Sequence, residues 1–178
     1  MMSDAFSRIS IILGDITKVN VDAVVNAAQN SLLGGFGVDG AIHAAAGEDL
    51  LKECVPLKWC DTGDAKITKG YKLPAKHVIH TVGPFVGRDN PDEVDALLAS
   101  AYRRSLEVLV ENNLHTIAFP SISTGYFMFP IDKAVPIVFR TVLEFLHHHT
   151  EVFVIFVMWT DEDFNLYNNY FSVVRLKK

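Results

Sequence analysis

Cysteine is scarce in this chain: Cys54 and Cys60 are its only two. Two thiols make no disulfide framework of the kind that staples small secreted domains. No CxxC or HxxxH pair near them completes a tetrahedral zinc set, so they read as ordinary thiols and no metal is expected. Long hydrophobic runs are missing too. Val152 to Trp159, among the longest apolar stretches, is far too short to span a bilayer. Met1 to Arg8 hold nothing like a secretory signal, so the sequence implies a cytoplasmic protein with no membrane partner.

Positive charge is in deficit. Lys and Arg number 16 against 21 Asp and Glu, for a formal net charge of −5. Broad nucleic-acid binding needs a basic footprint, and this chain has none. A small anion is not excluded, because backbone amides and helix N-termini can hold one without formal charge. No repeat, low-complexity tract or Pro/Gly/Ser linker divides the 178 residues. One domain over 1–178 is expected, and 49% apolar with 21% charged residues is an ordinary globular balance.

What is present is an alternation of strand and helix patterns. Ile9–Leu13, Ala23–Ala27, Ala65–Thr68, His77–Val82, Thr116–Phe119 and Val152–Met158 read as strands. Asp39–Cys54, Glu93–Asn112, Ile131–His147 and Asp161–Phe171 read as helices, Glu93–Asn112 by its apolar spacing. Such alternation predicts an α/β fold: a three-layer sandwich around a mostly parallel sheet of about six strands. Ligands of such sheets bind beyond the carboxyl ends of the strands, on the loops that lead into helices.

Two of those loops are suited to chemistry. The first contains Gly35-Phe36-Gly37-Val38-Asp39-Gly40, literally a dinucleotide-binding fingerprint. The context fails, because the fingerprint should follow its strand directly and an acidic residue should end a second strand further on. No Gly-Lys-Ser/Thr follows either, which removes a P-loop. The glycines still allow close backbone approach to a phosphate, with a helix N-terminus behind them. The second loop, Pro120 to Pro130, offers Ser123, Thr124 and Gly125, with aromatics at Tyr126, Phe127 and Phe129 as apolar walls.

Taken together, several segments resemble the macrodomain family: Gly14-Asp15-Ile16-Thr17, Val25-Asn26-Ala27-Ala28, Leu33-Gly34-Gly35, Gly37-Val38-Asp39-Gly40-Ala41-Ile42-His43, His80-Thr81-Val82-Gly83-Pro84 and Pro120-Ser121-Ile122-Ser123-Thr124-Gly125. The resemblance spans about residues 9–171. The Val-Asp-Gly-Ala-Ile-His stretch is similar to the MacroD-type branch, which includes de-ADP-ribosylating enzymes and O-acetyl-ADP-ribose deacetylases.

That resemblance implies ADP-ribose, or an ADP-ribosylated adduct or protein, as partner, with no cofactor. Asp15, with Ile16 beside it, matches the carboxylate that accepts the adenine amino group; as a residue before Thr17 it also fits a turn or cap. Trp159 falls where an aromatic flanks adenine, or it belongs to the core. Gly35, Phe36, Gly37, Val38, Ser123, Thr124, Gly125, Tyr126 and Phe127 fall on the phosphate and distal-ribose loops. Asn26 is placed in the same set as the residue that orders the first loop. Asp39 matches the carboxylate that positions or activates water, expected to stay ionised at a helix N-terminus, where it would also serve as a cap. Relatives carry Asn where this chain has Gln29, glycine at Phe36 and at Met128, and in some cases Tyr at Phe127. Two functions follow: a metal-free hydrolase of an ADP-ribose adduct using Asp39 and Gln29, or a reader module that binds ADP-ribose without turnover.

Overall fold

The computed structural model describes residues 3–177. Met1, Met2 and Lys178, the outermost residues of the expected domain, lie outside the described residues. In chain order the elements are α1 (Ser3–Ser7), β1 (Ile9–Leu13), β2 (Ala23–Ala27), α2 (Gly37–Ala46), α3 (Glu48–Cys54), β3 (Ala65–Lys69), β4 (His77–Thr81), α4 (Val94–Glu111), β5 (Thr116–Phe119), α5 (Ile131–His148), β6 (Phe153–Met158) and α6 (Asp161–Leu176). Short 3₁₀ turns occupy Ile16–Lys18 and Val55–Leu57.

The six strands form one sheet in the order β1-β6-β5-β2-β4-β3. Every pairing is parallel except that of edge strand β3 with β4. Strand side chains alternate between faces, and that alternation sorts the core into two halves. Val25, Ile79, Ile117 and Phe156 point to one half, with α4, α5 and Tyr167 of α6. Val24, Val78, Ala118 and Val157, their immediate neighbours in sequence, point to the other, under α2 and α3. The central strands are buried on both sides, as a sheet covered by helices on each face requires.

Two helices differ from the sequence expectation. The run Asp39–Cys54 is not one helix, because Gly47 adopts φ 87° and ψ 179°, which ends α2 and starts α3. The small-residue spacing continues across the break, so periodicity alone gave no warning. The last helix runs on to Leu176 rather than stopping at Phe171, since nothing in Ser172–Leu176 breaks a helix. No helix among the described residues is long and apolar enough to cross a membrane.

Buried Arg8 joins three elements. Its Nη1 donates to the carbonyls of His149 and Val152 at 2.7 and 3.1 Å, and its Nη2 to Leu146 at 2.7 Å. The guanidinium thus occupies the carbonyl end of α5, where a cation and a donor are both favourable. Replacing it leaves buried acceptors without partners. Arg8→Ala should lower the free energy of unfolding by about 2–4 kcal/mol in a urea titration. An unchanged midpoint would mean that water substitutes fully for the side chain.

Candidate active site

The strand ends form a cleft with two adjoining hollows. One, of about 260 Å³, lies between Gln29, the Phe36–Asp39 segment, Gly83 and the loop of Ser123, Gly125, Tyr126 and Phe127. The other, of about 390 Å³, lies between Asp15, Ile16, Pro120 and Trp159. Gly37 and Val38 line both, so the head of α2 divides the cleft without closing it. Combined, the hollows suit an elongated ligand in the range of about 300–1,000 Å³ typical of small-molecule sites.

The head of α2 is open. Phe36 holds the N-cap position but supplies no side-chain hydrogen bond. The first amides of the helix therefore keep their hydrogens for a ligand, and the helix dipole favours an anion there. The loop can lie this close because residue 40 is glycine: a Cβ there would stand 2.6 Å from the Gly35 carbonyl oxygen. Phe36 does not fill the hollow. It is 86% exposed and stands at the rim.

Asp39, by contrast, is only 3% exposed. Asn26 Nδ2 donates to its Oδ1 at 2.8 Å, and His43 Nε2, one turn along α2, lies 3.5 Å from the same oxygen. Asp39 Oδ2 is buried without a hydrogen-bond partner among the described residues. Gln29's side-chain amide and Asp39 Oδ2 both abut Gly35, where an added Cβ would lie 2.5 and 3.0 Å from them. Burial pushes the Asp39 carboxyl above the ordinary aspartate value, against the pull of Asn26, His43 and the Gln29 backbone. The helix-terminus argument from sequence is thus opposed by desolvation, and the carboxylate is more basic than expected there.

On the far wall Ser123 takes a left-handed backbone, φ 66°, with its Oγ buried and without a hydrogen-bond partner among the described residues. Gly83 leaves room for it, since a Cβ there would collide with Ser123 Oγ. Thr124 Oγ1 is spent inside the loop, on the carbonyl and hydroxyl oxygens of Ser121. Phe127 stacks on Phe85 with centroids 5.0 Å apart, which pins the loop to the segment after β4. Tyr126 stays 76% exposed at the rim opposite Phe36. Met128, where relatives carry glycine, keeps the left-handed φ of 61° that glycine would tolerate more easily.

At the other end, Asp15 does cap a turn: its Oδ1 accepts from the amide and hydroxyl of Thr17 at 2.9 and 2.7 Å. The Thr17 hydroxyl holds the Asp15 carboxyl below its usual value. Capping and facing the cleft are compatible, because one oxygen remains. Ile16 is buried beneath it, and Trp159 is 75% exposed rather than part of the core.

Of the residues singled out from sequence, Asn26, Gly35 and Thr124 do not line either hollow, and Phe129, expected as an apolar wall, packs instead into the core at 2% exposure; the others line one hollow or both. Asn30 turns away, donating to the Cys60 carbonyl. Sequence reading missed the backing layer of His80, Thr68 and Cys54. His43, Cys54 and His80 bring donor atoms within 4.8 Å of one another. They do not fit a metal site. His80 Nδ1 and Nε2 already face Asn26 and Thr68 at 3.1 and 2.9 Å, and burial pushes the Cys54 thiol up to about 11.

Comparison with known proteins matches residues 25–138 to the Macro domain family model. The chain is 57% identical over 141 residues to a macro domain-containing protein of Mesorhizobium japonicum, covering 79% of this chain and 80% of that one. It is 50% identical over 173 residues to human ADP-ribose glycohydrolase MACROD2, covering 93% of this chain but 40% of the human protein. Among solved structures, the Oceanobacillus iheyensis macrodomain with ADP superposes at a TM-score of 0.90 and 41% identity, over 94% of this chain and 92% of that one. A Trypanosoma brucei macrodomain in complex with ADP-ribose gives 0.88 and 37%, over 96% and 72% of the two chains. The strand order, the open helix head and these matches agree: the chain belongs to the macro domain family.

Proposed function

We propose that this protein binds ADP-ribose along the two hollows and hydrolyses an adduct carried on the distal ribose. The adenine lies by Asp15 and Trp159, the diphosphate on the amides at the head of α2 and of the Ser123–Tyr126 loop, and the distal ribose against Gln29 and Asp39. The adduct is an acyl ester such as O-acetyl-ADP-ribose, or an ADP-ribosylated carboxylate side chain of a protein. One observation carries the catalytic half: Asp39 is a buried, desolvated carboxylate beside the cleft, with one oxygen held by Asn26 and the other without a hydrogen-bond partner among the described residues. Such a group suits a general base better than an exposed aspartate does. A water oxygen bonds to the acyl or anomeric carbon as Asp39 takes its proton. The ester or glycosidic C–O bond breaks, and the proton passes to the departing oxygen. The glycohydrolase name of the human relative, and the ADP and ADP-ribose of the structural neighbours, support this reading. The reader function is favoured by Gln29, Phe36 and Met128; the first two line the hollow, and Met128 is 68% exposed and does not line it.

Calorimetry should show ADP-ribose binding more tightly than ADP, and AMP hardly at all. Asp15→Ala should weaken ADP-ribose by about 1–3 kcal/mol. No heat at millimolar ADP-ribose would end this assignment. ADP-ribose should also change tryptophan fluorescence, and the change should vanish in Trp159→Ala while surviving Trp59→Ala.

Turnover of ester-linked adducts should be slow and indifferent to chelator. Asp39→Ala should nearly abolish it while keeping affinity within about tenfold, and Gln29→Asn should speed it, since a displacement of about 1 Å costs on the order of a hundredfold. Because the base must be ionised, the rate should fall as pH drops through the raised Asp39 value. The acid limb therefore lies above the 3.8 of an ordinary aspartate. Inert parent and Gln29→Asn proteins on every adduct would leave a reader module.

A further inference from the structure

Behind Asp39 a run of buried hydrogen bonds crosses the sheet, and its direction can be worked out from one end. Thr68 on β3 donates its hydroxyl hydrogen to the Lys69 carbonyl oxygen at 3.2 Å. Toward His80 that oxygen can only accept. His80 Nε2, 2.9 Å away, therefore carries the ring hydrogen, and Nδ1 is left with a lone pair. Nδ1 faces the Asn26 side chain at 3.1 Å, so the atom there must be the amide nitrogen, Nδ2. That nitrogen has a second hydrogen, and it goes to Asp39 Oδ1 at 2.8 Å. His80 and Asn26 are fully buried, and Thr68 nearly so. Burial, with His43 nearby, holds the His80 ring down to about 3, so it stays neutral wherever the enzyme would work.

We infer that Thr68 and His80 are positioning residues for Asp39: through Asn26 they lock the donor end of an amide toward the carboxylate. This inference rests on the reading of Asp39 as the base and adds what orients it. Neither residue touches the cleft. Their effect follows from what the alternative would cost. With the ring hydrogen on Nδ1, Asn26 would reverse, and its Oδ1 would stand about where Nδ2 does. Two acceptors would then face each other across the distance now spanned by a hydrogen bond, unless Asp39 took up a proton. The groups around Asp39 offer little compensation. His43 approaches from α2 at 3.5 Å without a hydrogen bond, the Gln29 amide comes from the loop after β2, and the Cys54 thiol of α3 lies behind His80 at 3.8 Å. The lock leaves a trace of its own in the buried Asn26 Oδ1, which has no partner among the described residues.

The test is nuclear magnetic resonance on the whole protein, with turnover as a second readout. Nitrogen shifts of the His80 ring should report the Nε2–H tautomer, unprotonated at Nδ1, across the neutral range. An Nδ1–H tautomer would overturn the inference without any substitution. Thr68→Val removes the oxygen acceptor of Nε2–H, leaves it facing the weaker Cys54 sulfur at 3.8 Å, and nearly preserves volume. In that variant the Asp39 carboxyl carbon should titrate about 1–2 pH units higher than in the parent, the shift expected for losing a hydrogen bond to a charged group. The acid limb of kcat should move the same way, with ADP-ribose affinity unchanged, and Thr68→Ser should restore both. A Thr68→Val protein that folds and titrates like the parent would also refute it. If the parent turns over no adduct, the hydrolase reading fails, while the ring tautomer and the carboxyl titration still decide the lock.

Discussion

The hydrogen bond from Asn26 to Asp39 spans 2.8 Å, yet it joins two elements separated by a loop of nine residues, 28 to 36. Asn26 belongs to the most central part of the sheet, paired to β4 on one side, with β5 on the other side of β2. Asp39 lies in the first turn of α2. Between them the glycine-bearing loop has few apolar anchors of its own; Leu32 is one. The register of that loop is thus set at its ends, by this bond and by the close contact of Gly40 with the Gly35 carbonyl, and in its middle by the paired hydrogen bonds of Asn30 with the Cys60 backbone. A cleft built this way is preorganised: its amides already point where an anion would sit, before any ligand arrives.

This arrangement also explains how an acidic protein can accommodate a diphosphate. The net charge of −5 repels anions at long range, but screening limits that repulsion to about 10 Å at ordinary salt. Inside the cleft the local field comes from the uncapped head of α2. The anionic neighbour that could oppose it, Asp39, sits buried, with one oxygen taken by a hydrogen bond from Asn26. Asp15 is at the opposite end of the cleft, in the other hollow. The charge balance of the whole chain is therefore a poor guide to the charge of its ligand.

The sheet and both loops were legible because their signals are local. β-branched runs marked β1, β2 and β4, and glycines between a strand and a helix marked the two cleft loops. The break at Gly47 was not legible, since the apolar and small-residue spacing of α2 and α3 continues through it. Asp15 and Trp159 could be placed in the cleft only through family resemblance; by residue type alone each had an equally good structural role, and Asp15 indeed fills its capping role as well. The His80 layer was invisible for a different reason. His80, Thr68 and Cys54 come from three elements, and nothing in a linear sequence says that β3 runs antiparallel to β4 and so sets Thr68 against His80. The basicity of Asp39 likewise depends on how deeply it is buried, a property of the folded whole.

That antiparallel edge strand has a further consequence. An open strand edge is a template on which another chain can add itself, and a six-stranded sheet would ordinarily carry that hazard. On β3 the backbone amides of Ala65 and Lys69 are already taken, by Asp64 Oδ1 at 2.8 Å and Glu53 Oε2 at 3.1 Å. Glu53 is held in turn by the Tyr71 hydroxyl, and Lys66 folds back onto the Leu57 carbonyl. An incoming strand would have to evict both carboxylates to pair along the whole of β3. The growth of the sheet is terminated by side chains acting as surrogate neighbours, which makes this rim self-limiting against fibril-like addition.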